Sequence, residues 1–135
     1  MAESRLMLDT SAIAGFFKGD PTVAGYVKTS DELYVNPVVS GELLAGFKAG
    51  RSERENIELL SRFLTSPRMR SLDIDMETSE RYAVIQSGLR KKGTPIPTND
   101  IWIAATAMQY GLRLLTADRH FLKVPQIIVD FFEVF

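Results

Sequence analysis

Short apolar runs recur along this chain, and each is followed by a stretch of helical periodicity; that alternation constrains the fold more than any other feature. Leu6-Met7-Leu8 reads as a short buried strand ending at Asp9, after which Thr10-Ser11 is expected to cap a helix through Phe17. Gly19-Asp20-Pro21 stops that helix, and Pro21 suits the start of another carrying Val23, Tyr26 and Val27. Leu33-Tyr34-Val35 is the next strand, followed by a helix from about Val38 to Lys48. Ser52 and Glu55 have the spacing of a capping box for a helix bearing Ile57, Leu60 and Phe63. Leu72 and Ile74 suggest a strand, and Asp75 caps a helix with Tyr82, Ile85 and Leu89 on one face and Gly93 as its stop. The turn from Thr94 to Pro97 leads into a strongly apolar helix from Asn99 to Tyr110, ended by Gly111. Leu112 to Thr116 and Ile127 to Val129 complete the strands. Strands separated by helices in this rhythm predict a single α/β domain over residues 1–135: a central, mainly parallel sheet with helices packed on it.

Composition limits the chemistry such a domain can host. The chain has 135 residues, no cysteine and one histidine, His120. Disulfides, thiolate zinc sites, Fe–S clusters, thiol nucleophiles and multi-histidine metal cages are therefore excluded. A catalytic metal would need mostly carboxylate ligands, which favours hard ions such as Mg2+ or Mn2+. The most apolar stretch, Ile101 to Leu115, is broken by Thr106, Gln109, Gly111 and Arg113, so no membrane span is expected. Met1 to Leu8 lacks the length of a signal peptide, and the expected location is the cytoplasm. The formal charge of −1 hides a basic middle region that includes Arg68, Arg70 and the run Arg90-Lys91-Lys92.

In open α/β sheets ligands bind outside the carboxyl ends of the strands. Asp9 and Asp118 fall there on the predicted map, although either alone serves equally as a turn or cap residue. Glu42 lies on the predicted third helix within an arc of Val38, Val39, Leu43, Ala45, Gly46 and Phe47. A glutamate buried in such an arc has to be paired, protonated or bound to a cation. Asp100 opens a helix that is apolar almost all round; Thr98 and Asn99 are available to cap it, which leaves Asp100 free. Carboxylates gathered in one cleft repel each other and raise each other's pKa values unless a cation sits among them.

These residues, taken in order, resemble the PIN-domain ribonucleases, specifically the VapC-type toxins of type II toxin–antitoxin pairs. The resemblance is carried by Leu8-Asp9-Thr10-Ser11-Ala12, Ser40-Gly41-Glu42, Pro97-Thr98-Asn99-Asp100 through Ala107, and Leu115-Thr116-Ala117-Asp118-Arg119-His120-Phe121. It spans roughly residues 6–130, with all four acids in register. It implies a PIN-like three-layer α/β sandwich, with Asp9, Glu42, Asp100 and Asp118 as the catalytic, metal-binding acids. Thr116 is implied to hydrogen-bond within the acidic pocket, with Ser11 and Asn99 supporting the acids. The implied activity is Mg2+-dependent endoribonuclease hydrolysis, with Mn2+ able to substitute. Arg119, Arg90 and Lys91, with Lys92, Arg68 and Arg70, are the basic candidates for holding RNA backbone. Phe16, Phe17 and Phe121 are expected in the core rather than stacked on bases, and His120 is expected to be structural or to contact phosphate.

The resemblance also implies a homodimer and a cognate antitoxin lying in a groove beside the acids. Phe17, Leu44 and Phe47 are candidates for lining that groove, Leu44 because it sits on the otherwise polar side of its helix. A stand-alone RNA-processing nuclease, or a non-catalytic binding module of the same fold, is the alternative. A haloacid-dehalogenase-like phosphatase fits less well, because Ser11 stands where its second aspartate belongs. A receiver domain would need paired acids and a late lysine that the chain does not show. A DNA nuclease using the same acids stays open.

Overall fold

The computed structural model describes residues 4–134. The reading of Met1–Leu8 as too short for a leader falls in part on residues 1–3, outside the described residues. Among the described residues, five strands and six α-helices follow one another as β1 (Arg5–Leu8), α1 (Thr10–Phe17), α2 (Pro21–Thr29), β2 (Glu32–Val35), α3 (Pro37–Ala49), α4 (Glu53–Leu64), β3 (Met69–Ser71), α5 (Met76–Lys92), α6 (Thr98–Tyr110), β4 (Arg113–Thr116) and β5 (Ile128–Phe131), with a 3-10 turn over Arg119–Lys123. The strand order is β3-β2-β1-β4-β5 and every pairing is parallel. β1 therefore lies at the centre, buried on both sides, which is why Leu6-Met7-Leu8 reads as a continuous apolar run. Parallel crossovers are right-handed, so the connections running outward to β3 and those returning to β4 and β5 place helices on opposite faces. The expected three-layer α/β arrangement is what the chain adopts.

The core is one cluster built on Met7, Leu8, Ile13, Val35, Ile85, Ile101, Leu114, Leu115 and Phe121, all fully buried. Gly93 and Gly111 end α5 and α6 in the left-handed conformation, φ 68° and 63°, as the stop signals predict. Asp75 caps α5 in a reciprocal box with Thr78. α5 and α6 run antiparallel, tied at one end by Thr78 Oγ1 donating to Gln109 Oε1 at 2.5 Å. The last turn of α5 and the first turn of α6 therefore meet at the other end, joined by the loop 93–97.

Several local expectations are corrected. Asp9, not Thr10 or Ser11, caps α1: its Oδ1 accepts the Ala12 N–H at 2.9 Å. Ser52 precedes α4 but makes no side-chain cap, so the Ser52–Glu55 box does not form. The third strand is Met69–Ser71, ahead of the expected Leu72 and Ile74. It is an edge strand registered by Met69 against Leu33, and Leu72 still donates its N–H to the Val35 carbonyl at 2.9 Å. The final strand runs to Phe131, past the expected end at Val129. Phe17 and Phe47 are half-buried against the core, whereas Leu44 is exposed as expected. The Phe17 ring is engaged edge-on by Phe63 at 5.7 Å.

Candidate active site

The order of the strands reverses between β1 and β4, and the crevice outside their carboxyl ends is where a ligand fits in this class of sheet. β1 delivers Asp9 to that crevice, and β4 delivers Thr116 with Asp118 two residues beyond. Asp9 is 3% exposed and held from three directions. Its Oδ1 accepts from the Ala12 N–H at 2.9 Å and the Ser11 hydroxyl at 2.7 Å, and its Oδ2 accepts from Thr116 Oγ1 at 2.6 Å. A carboxylate offers about four acceptor sites, so one on Oδ2 is left for another partner. Burial pushes the Asp9 carboxyl up to about 6 against the pull of these hydrogen bonds, and the charge of Asp118 adds to the rise.

Thr116 and Ser11 join the two sides of the crevice. Thr116 Oγ1 accepts the Asp118 N–H at 2.9 Å while donating to Asp9, and Ser11 Oγ accepts the Ala117 N–H at 2.9 Å while donating to Asp9. The chain after β4 is thereby pinned to the end of β1. This is the hydrogen-bonding place that the sequence resemblance implies for Thr116 and Ser11.

Asp100 enters from the first turn of α6, whose N-cap, Pro97, supplies no side-chain bond. Neither Thr98 nor Asn99 takes the capping role expected of it. The Asn99 amide donates instead to Glu42 Oε2 at 3.3 Å. Burial, then the charge of Asp118, pushes the Asp100 carboxyl up to about 6. Glu42, on the second turn of α3, is half-buried and takes a 2.6 Å hydrogen bond from Thr10 Oγ1. The apolar arc expected around it is only partly buried, because Ala45 and Gly46 face solvent. Glu42 thus sits at the rim of the crevice, near enough for its charge to raise Asp100.

Asn36 sets how α3 meets α6. It follows β2, is fully buried, and caps α3 by accepting the Val39 N–H at 3.0 Å. Its amide donates to Thr106 Oγ1 at 3.0 Å and to the Trp102 carbonyl at 3.4 Å. One side chain therefore fixes the helix bearing Glu42 against the helix bearing Asp100. An asparagine before a proline reads in the sequence as an ordinary turn, so this link carries no sequence signal.

The tightest convergence is Asp100, Asp118 and His120, whose ligand-capable atoms lie within 4.8 Å of one another. His120 Nδ1 is 3.0 Å from Asp100 Oδ2 and 3.1 Å from Asp118 Oδ1. The 3-10 turn at Arg119–Lys123 folds the His120 ring back over the acids, a placement that leaves no periodicity to read in the sequence. Among the described residues no lysine or arginine forms an ion pair with Asp9, Glu42, Asp100 or Asp118. Oxygen donors, raised carboxyl pKa values and the absence of a paired lysine or arginine together fit a hard divalent ion.

The basic residues separate by position. Arg68 donates to the Val27 and Ser30 carbonyls at 2.8 and 2.5 Å, ahead of β2 and at the amino edge of the sheet, away from the acids. Arg70 is tied to the Pro67 carbonyl at 2.8 Å and lies 3.8 Å from Glu32. Both side chains are engaged at the amino edge of the sheet, away from the acids. Arg90, Lys91 and Lys92 are exposed on the last turn of α5, at the end where Asp100 lies. Arg119 is exposed beside Asp118, its guanidinium 4.9 Å from the Phe131 ring and 3.6 Å from Glu133. Phe121 is fully buried, as expected, and Phe16 and Phe17 pack with Phe63. No helix among the described residues is long and apolar enough to cross a membrane.

Residues 6–127 match the PIN domain family. The chain is 34% identical to Ribonuclease VapC4 of Mycobacterium tuberculosis over 93% of its own length and 95% of that protein's. It is 30% identical to a Ribonuclease VapC of Rickettsia bellii, covering 92% of this chain and 93% of the relative. Among solved structures, DNA-bound VapBC from Salmonella typhimurium superposes with a TM-score of 0.83 at 24% identity, over 95% of this chain and 98% of that one. VapBC2 from Rickettsia felis, bound to a promoter DNA fragment, gives 0.82 at 23% identity, over 94% and 98%. With strand order, acid placement and sequence in agreement, the chain belongs to the PIN domain family and, within it, to the VapC group.

Proposed function

We propose that this protein is a metal-dependent endoribonuclease, the toxin of a toxin–antitoxin pair, acting as a single PIN domain in the cytoplasm. The observation that carries the reading is the convergence of Asp100 and Asp118 beside the buried Asp9, with no lysine or arginine among the described residues paired to them. The curated relatives named Ribonuclease VapC support hydrolysis of RNA. The solved VapBC structures support an antitoxin partner, and a homodimer is the assembly proposed for the free toxin.

In this reading Asp9, Asp100, Asp118 and Glu42 are the catalytic acids that hold the ion. Mg2+, or Mn2+ in its place, supplies when bound the positive charge that lets a phosphodiester approach the acids and activates water for attack. Asp9 is oriented by Ser11, Thr116 and the Ala12 N–H, so its remaining lone pair has a fixed direction before any ion arrives. Asn99 and Thr10 hold Glu42 at the rim, turned toward Asp100. Arg119, Arg90 and Lys91 are the residues that steady the flanking phosphates, since they are exposed at the acidic end of the sheet.

Purified protein incubated with structured RNA in Mg2+ is the test. Cleavage is expected to stop on adding EDTA and to be lost in Asp9→Asn and in Asp100→Asn. EDTA-insensitive cleavage retained by both variants would overturn the assignment.

A further inference from the structure

We infer that His120 is a nitrogen ligand of the cation site and tunes it toward Mn2+ over Mg2+; this rests on the metal-dependent reading above. The Asp118 carboxylate accepts the His120 backbone N–H at 2.9 Å, closing a tight turn that brings the imidazole over the two acids. Both contacts of Nδ1 are to carboxylate oxygens, at 3.0 and 3.1 Å, one on α6 and one on the turn after β4. This near-equal spacing places the ring nitrogen and the two carboxylate oxygens around a shared centre. Adjacent ligands of an octahedral ion with bonds of ~2.1 Å lie about 3 Å apart, so these edges already have the required length. The ring reaches this position with its side chain 43% exposed, which leaves it room to turn its lone pair onto an ion.

The consequence is selectivity. Mg2+ takes oxygen ligands and gives up its waters reluctantly, so a nitrogen donor adds little to its binding. First-row transition ions accept imidazole readily, and Mn2+ is the member of that series closest to Mg2+ in its liking for carboxylates. An imidazole added to the carboxylates therefore favours Mn2+ more than the carboxylates alone.

The test compares Mn2+ and Mg2+ binding to the wild-type protein, His120→Ala and His120→Asn, with pulsed EPR on the Mn2+ samples. Asparagine keeps a hydrogen-bond donor near the acids but offers Mn2+ no imidazole nitrogen. The wild type is expected to show modulation from directly bound 14N, absent in both variants. Mn2+ affinity is expected to fall by about tenfold or more in both, with Mg2+ affinity changing far less. Nitrogen modulation missing from the Mn2+-bound wild type, or a Mn2+ to Mg2+ affinity ratio that asparagine restores, overturns the inference while leaving the nuclease reading standing. A wild type that binds neither ion overturns both.

Discussion

The two edges of the sheet treat charge in opposite ways. At the amino edge the acid on β2, Glu32, has basic and hydroxyl partners. Glu32 lies between Arg5 and Arg70 and accepts from the Tyr34 hydroxyl at 2.9 Å, while Arg68 is spent on backbone carbonyls. At the start of β4, Arg113 grips Asp130 of the neighbouring strand through two bonds of 2.6 and 2.8 Å. At the carboxyl edge Asp9, Glu42, Asp100 and Asp118 are surrounded by hydroxyls, amides and one imidazole, and two of them are pushed up to about 6. The first arrangement is closed on itself. The second gathers four carboxylates with no lysine or arginine among the described residues paired to them, and a site that is short of positive charge is prepared for a cation.

The largest way to test that contrast is to neutralise one side of it. Asp100→Asn is expected to lower RNA cleavage by on the order of 10³-fold, read as initial rates in saturating Mg2+. The same variant is expected to melt higher than wild type in EDTA at pH 7, since a buried, repelled charge has been removed. A loss of both activity and stability would mean that Asp100 belongs to the fold rather than to the site.

The next effect is on pH. Unfolded, Asp9 and Asp100 titrate near 3.8; folded, they titrate near 6. Between those values the folded chain holds more protons, so stability falls as pH rises through that window and the loss is complete above it. Each acid contributes up to about 3 kcal/mol to this fall, measurable by urea titration in EDTA from pH 4 to pH 7. The amino edge should show no such fall. A stability that rises steadily across the same range would contradict the charge asymmetry.

Asn36→Ala is smaller again. Losing the cap of α3 and the bond to Thr106 is expected to cost about 2 kcal/mol by denaturant unfolding, with cleavage reduced because Glu42 and Asp100 are no longer held in register. The smallest effect belongs to the amino edge. Arg70→Ala is expected to cost less than about 1 kcal/mol and to leave the cleavage rate unchanged, because its pairing with Glu32 is half-exposed.

Much of this was legible in the sequence because the carboxyl edge is written in local signals. A strand-ending Asp9, the glycine stops at Gly93 and Gly111, and an all-round apolar α6 opening on Asp100 each follow from a few adjacent residues. What stayed illegible depends on tertiary geometry. Met69 rather than Leu72 opens β3 because Leu33 across the edge sets the register. Arg68 looked available until the carbonyls of Val27 and Ser30 claimed it. Glu42 lies at a rim because the helix turns Ala45 and Gly46 to solvent. The contacts of Asn36 with Trp102 and Thr106, and of His120 with Asp100, join residues far apart in the chain and leave no local signal.

Thermal unfolding at pH 7, in EDTA and then in Mg2+ at a hundredfold excess over its Kd, tests the central claim most directly. The account expects the wild-type Tm to rise by roughly 8–10 °C with Mg2+, as the missing positive charge is supplied, and Asp100→Asn to gain little. An unchanged wild-type Tm, or an equal rise in the variant, would contradict it.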